Sequence, residues 1–169
     1  LYLDQIISLL DTKYGPAKLK ADDKLLTNTM IHNYRKEGLL KPVKGKKYTK
    51  EHFLQMLIIL AMKNSLSIQE IKAVFSRLYQ DPAFNCDGLC RGYEYALTLK
   101  EKESERLIRY FSELVVSENA DSDQSKRNTP EEMFPVLLYI TFLSGYLQRI
   151  AGRIVDECFT PDPVRPGTP

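Results

Sequence analysis

Apolar residues recur along most of this chain at helical rather than strand spacing. Leu3, Ile6, Ile7 and Leu10 share one face, so an amphipathic helix opens the fold. Gly15, Pro16, Asp22 and Asp23 mark 15–25 as a loop. Leu26 and Thr27 then supply a staple and an N-cap for a helix over 27–37, and Gly38 stands where a left-handed C-cap is needed. At 100° per residue, Met30, Ile31 and Tyr34 fall on one side of this helix. Asn28, Thr29, His32, Arg35 and Lys36 fall on the other. Amides, hydroxyls, an imidazole and two cations on one face suit contact with base edges and phosphates together. An ordinary solvated helix face has the same composition.

The next segment, GLLKPVKGKKY, carries Pro42 and Gly45 as turn signals among Lys41, Lys44, Lys46 and Lys47. Two short arms around a glycine turn predict a small β-hairpin, a wing over 41–48 whose lysines reach phosphates and whose return arm ends in Tyr48. Thr49 caps a helix with Phe53, Met56, Leu57 and Leu60 on one face, broadened by Ile58 and Ile59. Ser67 with Glu70 forms a capping box, Leu66 with Ile71 a staple, and Ile71, Val74, Phe75 and Leu78 continue the stripe. These stripes are core positions that buttress the 27–37 helix.

Asp81-Pro82 closes this module. Beyond it, Leu89 to Leu99 reads as helix, with Tyr93, Ala96 and Leu97 as core positions. KEKESER, from Lys100 to Arg106, reads as a solvated face, with Glu105 and Arg109 an i,i+4 pair. Leu107, Phe111, Leu114 and Val115 restore the apolar stripe. SENADSDQSKRN breaks all periodicity and is expected to be a mobile loop. Thr129-Pro130-Glu131-Glu132 is a helix start, followed by MFPVLLYITFLSGYL, apolar nearly all round. The uncharged stretch ends at Arg149, short of the ~20 residues a bilayer crossing needs. A central helix of a second domain or a subunit interface is the expected role. Ser144, Gly145, Ala151 and Gly152 repeat small residues seven apart, which admits a close neighbouring helix. The expected organisation is therefore a DNA-binding domain over 1–80, a helical dimerisation or sensing region over 81–160 and an extended Pro-rich tail over 161–169.

Composition alters this picture in one respect. The chain is 43% hydrophobic and 27% charged, ordinary for a soluble globular protein, and nets only +2. Residues 13–52, however, hold 11 Lys and Arg against 4 Asp and Glu, or +7, leaving −5 for the rest. A basic segment beside an acidic remainder suits one face built for a polyanion. Three cysteines form no disulfide framework, and together with the absence of a secretory pattern they point to a reducing cytoplasm. Starting at Leu1 without Met suggests a trimmed chain. Cys86, Cys90 and distant Cys158 raise a soft-metal reading, but with no His nearby the ligands are too few, so neither metal nor cofactor is expected. No P-loop, dinucleotide fingerprint, nucleophile elbow or His-Glu-x-x-His occurs, and no enzyme is expected.

The order of helix, Gly38-Leu39-Leu40, short basic segment, Tyr48 and two helices with SLSIQEIKAVF resembles the DNA-binding domain of MerR-type regulators over about 27–78. LTNTMIHNYRKEGLL with KKYTKEH, and the opening LYLDQIISLL, resemble a family of uncharacterised bacterial proteins described as putative transcriptional regulators. His32 stands where MerR-type proteins carry an Arg, Asn33 replaces their first Tyr, and Tyr34 keeps their second. The lysines of the short wing replace arginines. LDQIISLLDTKY, the nearest candidate for the first helix of the motif, is separated from Thr27 by GPAKLKADDKLL.

The resemblance implies a mainly α protein, a MerR-like winged helix-turn-helix followed by an all-helical C-terminal region. It further implies a transcriptional regulator acting on duplex DNA as a homodimer, under a small-molecule or protein effector not identified by the sequence. Asn28, Thr29, His32 and Arg35 are expected at bases. Lys36, Lys44, Lys46 and Lys47 are expected at phosphates, with Lys41 and Tyr48 completing the wing contact. The alternative is a helical protein-interaction adaptor whose winged module has lost DNA binding. A small-molecule-binding enzyme remnant is a more distant third.

Overall fold

Side-chain capping at five points decides where the helices begin. Thr27, in extended backbone, accepts the Met30 N–H on its Oγ1 at 3.1 Å and starts α2 (Asn28–Lys36), which follows α1 (Leu3–Tyr14). Thr49 starts α3 (Lys50–Met62), and Ser67 with Glu70 forms a reciprocal box at the start of α4 (Ile68–Leu78). Hydrogen bonds from the Ser67 side chain and backbone hold the Glu70 carboxyl below its usual range. Asn85 accepts the Asp87 and Gly88 amides at 3.0 and 3.3 Å, opening α5 (Cys86–Ser117). Thr129 and Glu132 cap each other at α6 (Pro130–Cys158). The computed structural model describes residues 1–14, 25–117 and 129–160. The predicted loops at 15–25 (except Leu25) and 117–128 (except Ser117), and the tail over 161–169, lie outside the described residues.

Among the described residues there is no strand, and this corrects the expected wing. The segment between α2 and α3 turns at Gly38 (φ 74°) and Gly45 (φ 71°), both in the left-handed region that favours glycine. Its arms do not pair with each other. The Lys41 amide donates to Gln55 Oε1 at 3.2 Å, and the Lys41 carbonyl meets His52 Nε2 at 3.1 Å. Pro42 has no N–H to offer. On the other arm, the Tyr48 amide donates to the Leu1 carbonyl at 2.9 Å, and the Leu1 nitrogen donates to the Tyr48 carbonyl at 3.1 Å. With these groups already satisfied, the segment is a basic loop strapped to α3 on one side and to the start of the chain on the other.

The chain forms two compact units, Leu1–Arg91 with Gly152–Pro169 and Gly92–Ala151. Among the described residues, all of the buried apolar core lies in the first. Ile6 and Leu10 of α1, Ile31 of α2, Leu39, Met56 and Ile59 of α3 and Ile71 of α4 are almost wholly covered. Leu89 and Val155 join the same core. The expected stripe on α3 differs in detail: Phe53 and Leu60 are only half-buried, while His52, Leu54 and Gln55 are buried, so this helix is enclosed nearly all round.

The second unit is a pair of helical segments, 92–117 and 130–151, joined by a 3.0 Å contact between the Tyr110 and Tyr139 hydroxyls. Tyr93, Leu97, Phe111, Met133, Val136 and Leu143 are half-buried, and no described residue in this unit is fully buried. Ala96 and Leu107, expected at the core, are exposed. The charge run Lys100–Arg106 does not interrupt α5, which continues through it.

Candidate nucleic-acid interface

Helix α2 is fixed by one face and open on the other. Ile31 and Tyr34 are buried, and burial pushes the Tyr34 phenol above its usual value. Asn28, Thr29, His32, Arg35 and Lys36 are all exposed, on the side the 3.6-residue period assigns them. The helix carries no acidic residue, and its cations Arg35 and Lys36 occupy the last turn, where the helix dipole favours them.

The structure divides four of these five residues between two concavities, and Thr29 lines neither. His32, Arg35 and Lys36 line a groove of about 880 Å³ together with Lys41, floored by Leu39, Leu40 and Phe75 and closed by Gln55 and Tyr79. Asn28 opens onto a different groove of about 710 Å³, shared with Asp4, Asp11 and Thr12 of α1. The two α1 carboxylates make that end of α2 a poor place for a phosphate, so the cationic end is the stronger half of the site.

Lysines 44, 46 and 47 are exposed around the Gly45 turn, and none is ion-paired among the described residues. Lys41 differs. Its ammonium lies 2.7 Å from Glu51 Oε1 and 4.1 Å from the centroid of the Tyr79 ring. Its charge is therefore balanced by Glu51, and Lys41 anchors the loop while its side chain, 39% exposed, still lines the groove. Tyr48 is a second correction: it is 7% exposed, packs edge-on against His52, and belongs to the core.

A part-buried polar network, not expected from the sequence, holds this loop. Tyr79 donates to Glu51 at 3.0 Å and accepts from Gln55 Nε2 at 3.2 Å. Burial, then the bond to Glu51, push the Tyr79 phenol far above its usual value, so it stays a donor. His52 Nδ1 accepts the Thr49 amide at 3.1 Å, which leaves Nε2 to donate to the Lys41 carbonyl. The signals were a histidine at the third helical position after a threonine cap and a glutamine inside an apolar run.

The cysteines lie apart from the α2 face. Cys86 and Cys90 stand one turn apart on α5, half-buried, and Cys158 is exposed. Burial and neighbouring Cys90 push the Cys86 thiol up, favouring the protonated form. Neighbouring Cys90, and then Cys86, push the Lys50 ammonium above its usual value. Among the described residues no group of three or more His, Cys, Asp or Glu is placed to hold a metal ion.

Residues 1–95 match the family described as Domain of unknown function (DUF1836). No curated protein and no solved structure matches the chain. The match covers α1 to α4, the loop and the first part of α5. It lends no support to the MerR resemblance, whose two-stranded wing is also absent among the described residues.

Proposed function

The chain belongs to the DUF1836 family, and we propose that this member is a DNA-binding transcriptional regulator that meets duplex DNA with the exposed face of α2 and the basic loop beside it. The observation that carries the reading is the pairing of an acid-free helix face with three lysines that meet no acid among the described residues. His32, Arg35 and Lys36 are presented on a helix locked by Ile31 and Tyr34, and Lys44, Lys46 and Lys47 stand open on a loop that is tied to α3. Phosphate contacts from the loop set register, and the side chains of α2 reach base edges. A helix of nine residues is short, so base readout is confined to a few positions.

Selection of bound fragments from a random duplex library tests the reading. An enriched motif, bound far more tightly than scrambled duplex, is the expected result. His32→Ala then shifts the preferred bases at one position, at a cost of about 1 kcal/mol on the selected site and little on scrambled duplex. A library that emerges unenriched, with weak binding to every duplex, contradicts sequence-specific regulation and favours an acidic protein as the partner of the basic face.

A further inference from the structure

Among the described residues, helix α6 carries more exposed large apolar side chains than any other helix. Phe134, Leu138, Phe142 and Tyr146 repeat every fourth residue and are 59%, 38%, 68% and 56% exposed. At 100° per residue they share one face of α6, turned away from half-buried Val136 and bordered by half-buried Leu143 next to Tyr146. These four side chains leave on the order of 400 Å² of apolar surface open on one face of the helix. A two-helix hairpin with no fully buried residue needs a further layer to enclose its apolar faces.

The charges on this face show what that layer is. Glu131 and Arg149 lie nine residues to either side of Ile140, and both fall in the middle of the exposed stripe. The Arg149 guanidinium sits over the Tyr146 ring, 5.9 Å from its centroid, which places it on the same face. A second α6 laid antiparallel about a two-fold axis at Ile140 brings Phe134 opposite Tyr146 and Leu138 opposite Phe142. The same pairing brings Glu131 opposite Arg149 at both ends. Such mirrored complementarity is useful to a copy of the same helix.

We infer that α6 is a homodimer seam, in which two hairpins pair antiparallel through Phe134, Leu138, Phe142 and Tyr146 and are held in register by two Glu131–Arg149 ion pairs. By length and composition α6 passes as a membrane span. Its uncharged run, 133–148, reaches only about 24 Å at 1.5 Å per residue, short of the ~30 Å hydrocarbon core. Its partner helix in the hairpin also carries the Lys100–Arg106 charge run. The inference is independent of DNA binding.

Sedimentation equilibrium of the full chain, without nucleic acid, tests it. The parent is expected to be a dimer. Glu131→Arg and Arg149→Glu each place like charges together at both ends of the seam and weaken dimerisation about tenfold or more. The double variant restores the parental affinity to within about threefold, a rescue that damage to the fold does not produce. Phe142→Glu, at an exposed position, gives a monomer with parental helix content by circular dichroism. A parent that stays monomeric, or that is monomeric and binds lipid vesicles, overturns the inference. So do single variants that dimerise like the parent, or a double variant that stays folded and is no better than either single.

Discussion

Ile31→Ala is expected to destabilise the chain by about 3 kcal/mol, within the range for deleting a buried aliphatic side chain whose cavity relaxes only partly. Ile31 is fully covered and, with Tyr34, is what holds α2 against the core. The neighbouring substitution His32→Ala removes a side chain that is exposed on the same helix, and should change stability by no more than about 0.5 kcal/mol. Urea unfolding of the two variants therefore measures the division of α2 into an anchored face and a free one. Equal costs at the two positions would mean that the polar face is also packed, and would remove it as a binding surface.

Simultaneous replacement of Lys44, Lys46 and Lys47 by Ala is expected to weaken binding to every duplex about a hundredfold at moderate salt. It should flatten the logarithmic salt dependence by roughly 2.7, at about 0.9 per lost phosphate contact. Sequence preference should survive, because these side chains hold phosphates and read no base. Lys41→Ala is the informative control. Its ammonium is engaged by Glu51 and the Tyr79 ring, so its removal should leave the slope of the salt titration unchanged. A triple variant with the parental slope would remove the loop from the interface. A Lys41 variant that loses as much slope as a loop lysine would show that its internal pairing gives way to DNA.

The helix starts were legible because their determinants are local. Thr27, Thr49, Ser67 and Thr129 each bond within three residues of themselves, and a reader of the chain sees both partners together. The exposed face of α2 was legible for the same reason, since a period of 3.6 assigns faces without tertiary information. The loop was misjudged as a hairpin because its hydrogen-bond partners are distant. Lys41 bonds side chains 11 and 14 residues away, and Tyr48 bonds Leu1 across 47. Lysine and glycine around a turn suit a hairpin equally well until those partners are known. Tyr48 was placed at the surface by the same error, and the neutralisation of Lys41 depends on Glu51 and Tyr79, which only the fold brings together. In α5, the run Lys100–Arg106 was legible as a solvated helix face, and the helix continues through it without apolar residues because the unit it belongs to buries so little.

Placing a residue on an exposed face differs from placing it in one site. The sequence puts Asn28 and Thr29 beside His32 and Arg35, yet Asn28 opens toward Asp4 and Asp11 of α1. The cationic turn of α2 and the three loop lysines carry the proposal, and the amide end contributes less. That ranking is open to measurement by comparing Asn28→Ala with Arg35→Ala on a selected duplex.

The most direct measurement of the central claim is a backbone amide NMR titration of the protein with duplex DNA at low salt. The account predicts shift changes concentrated at the exposed residues of α2, strongest at 32–36, and at 43–47, reversed by high salt. Shifts confined to α6 or to the α1 side of the fold, or no shifts at all, would contradict it.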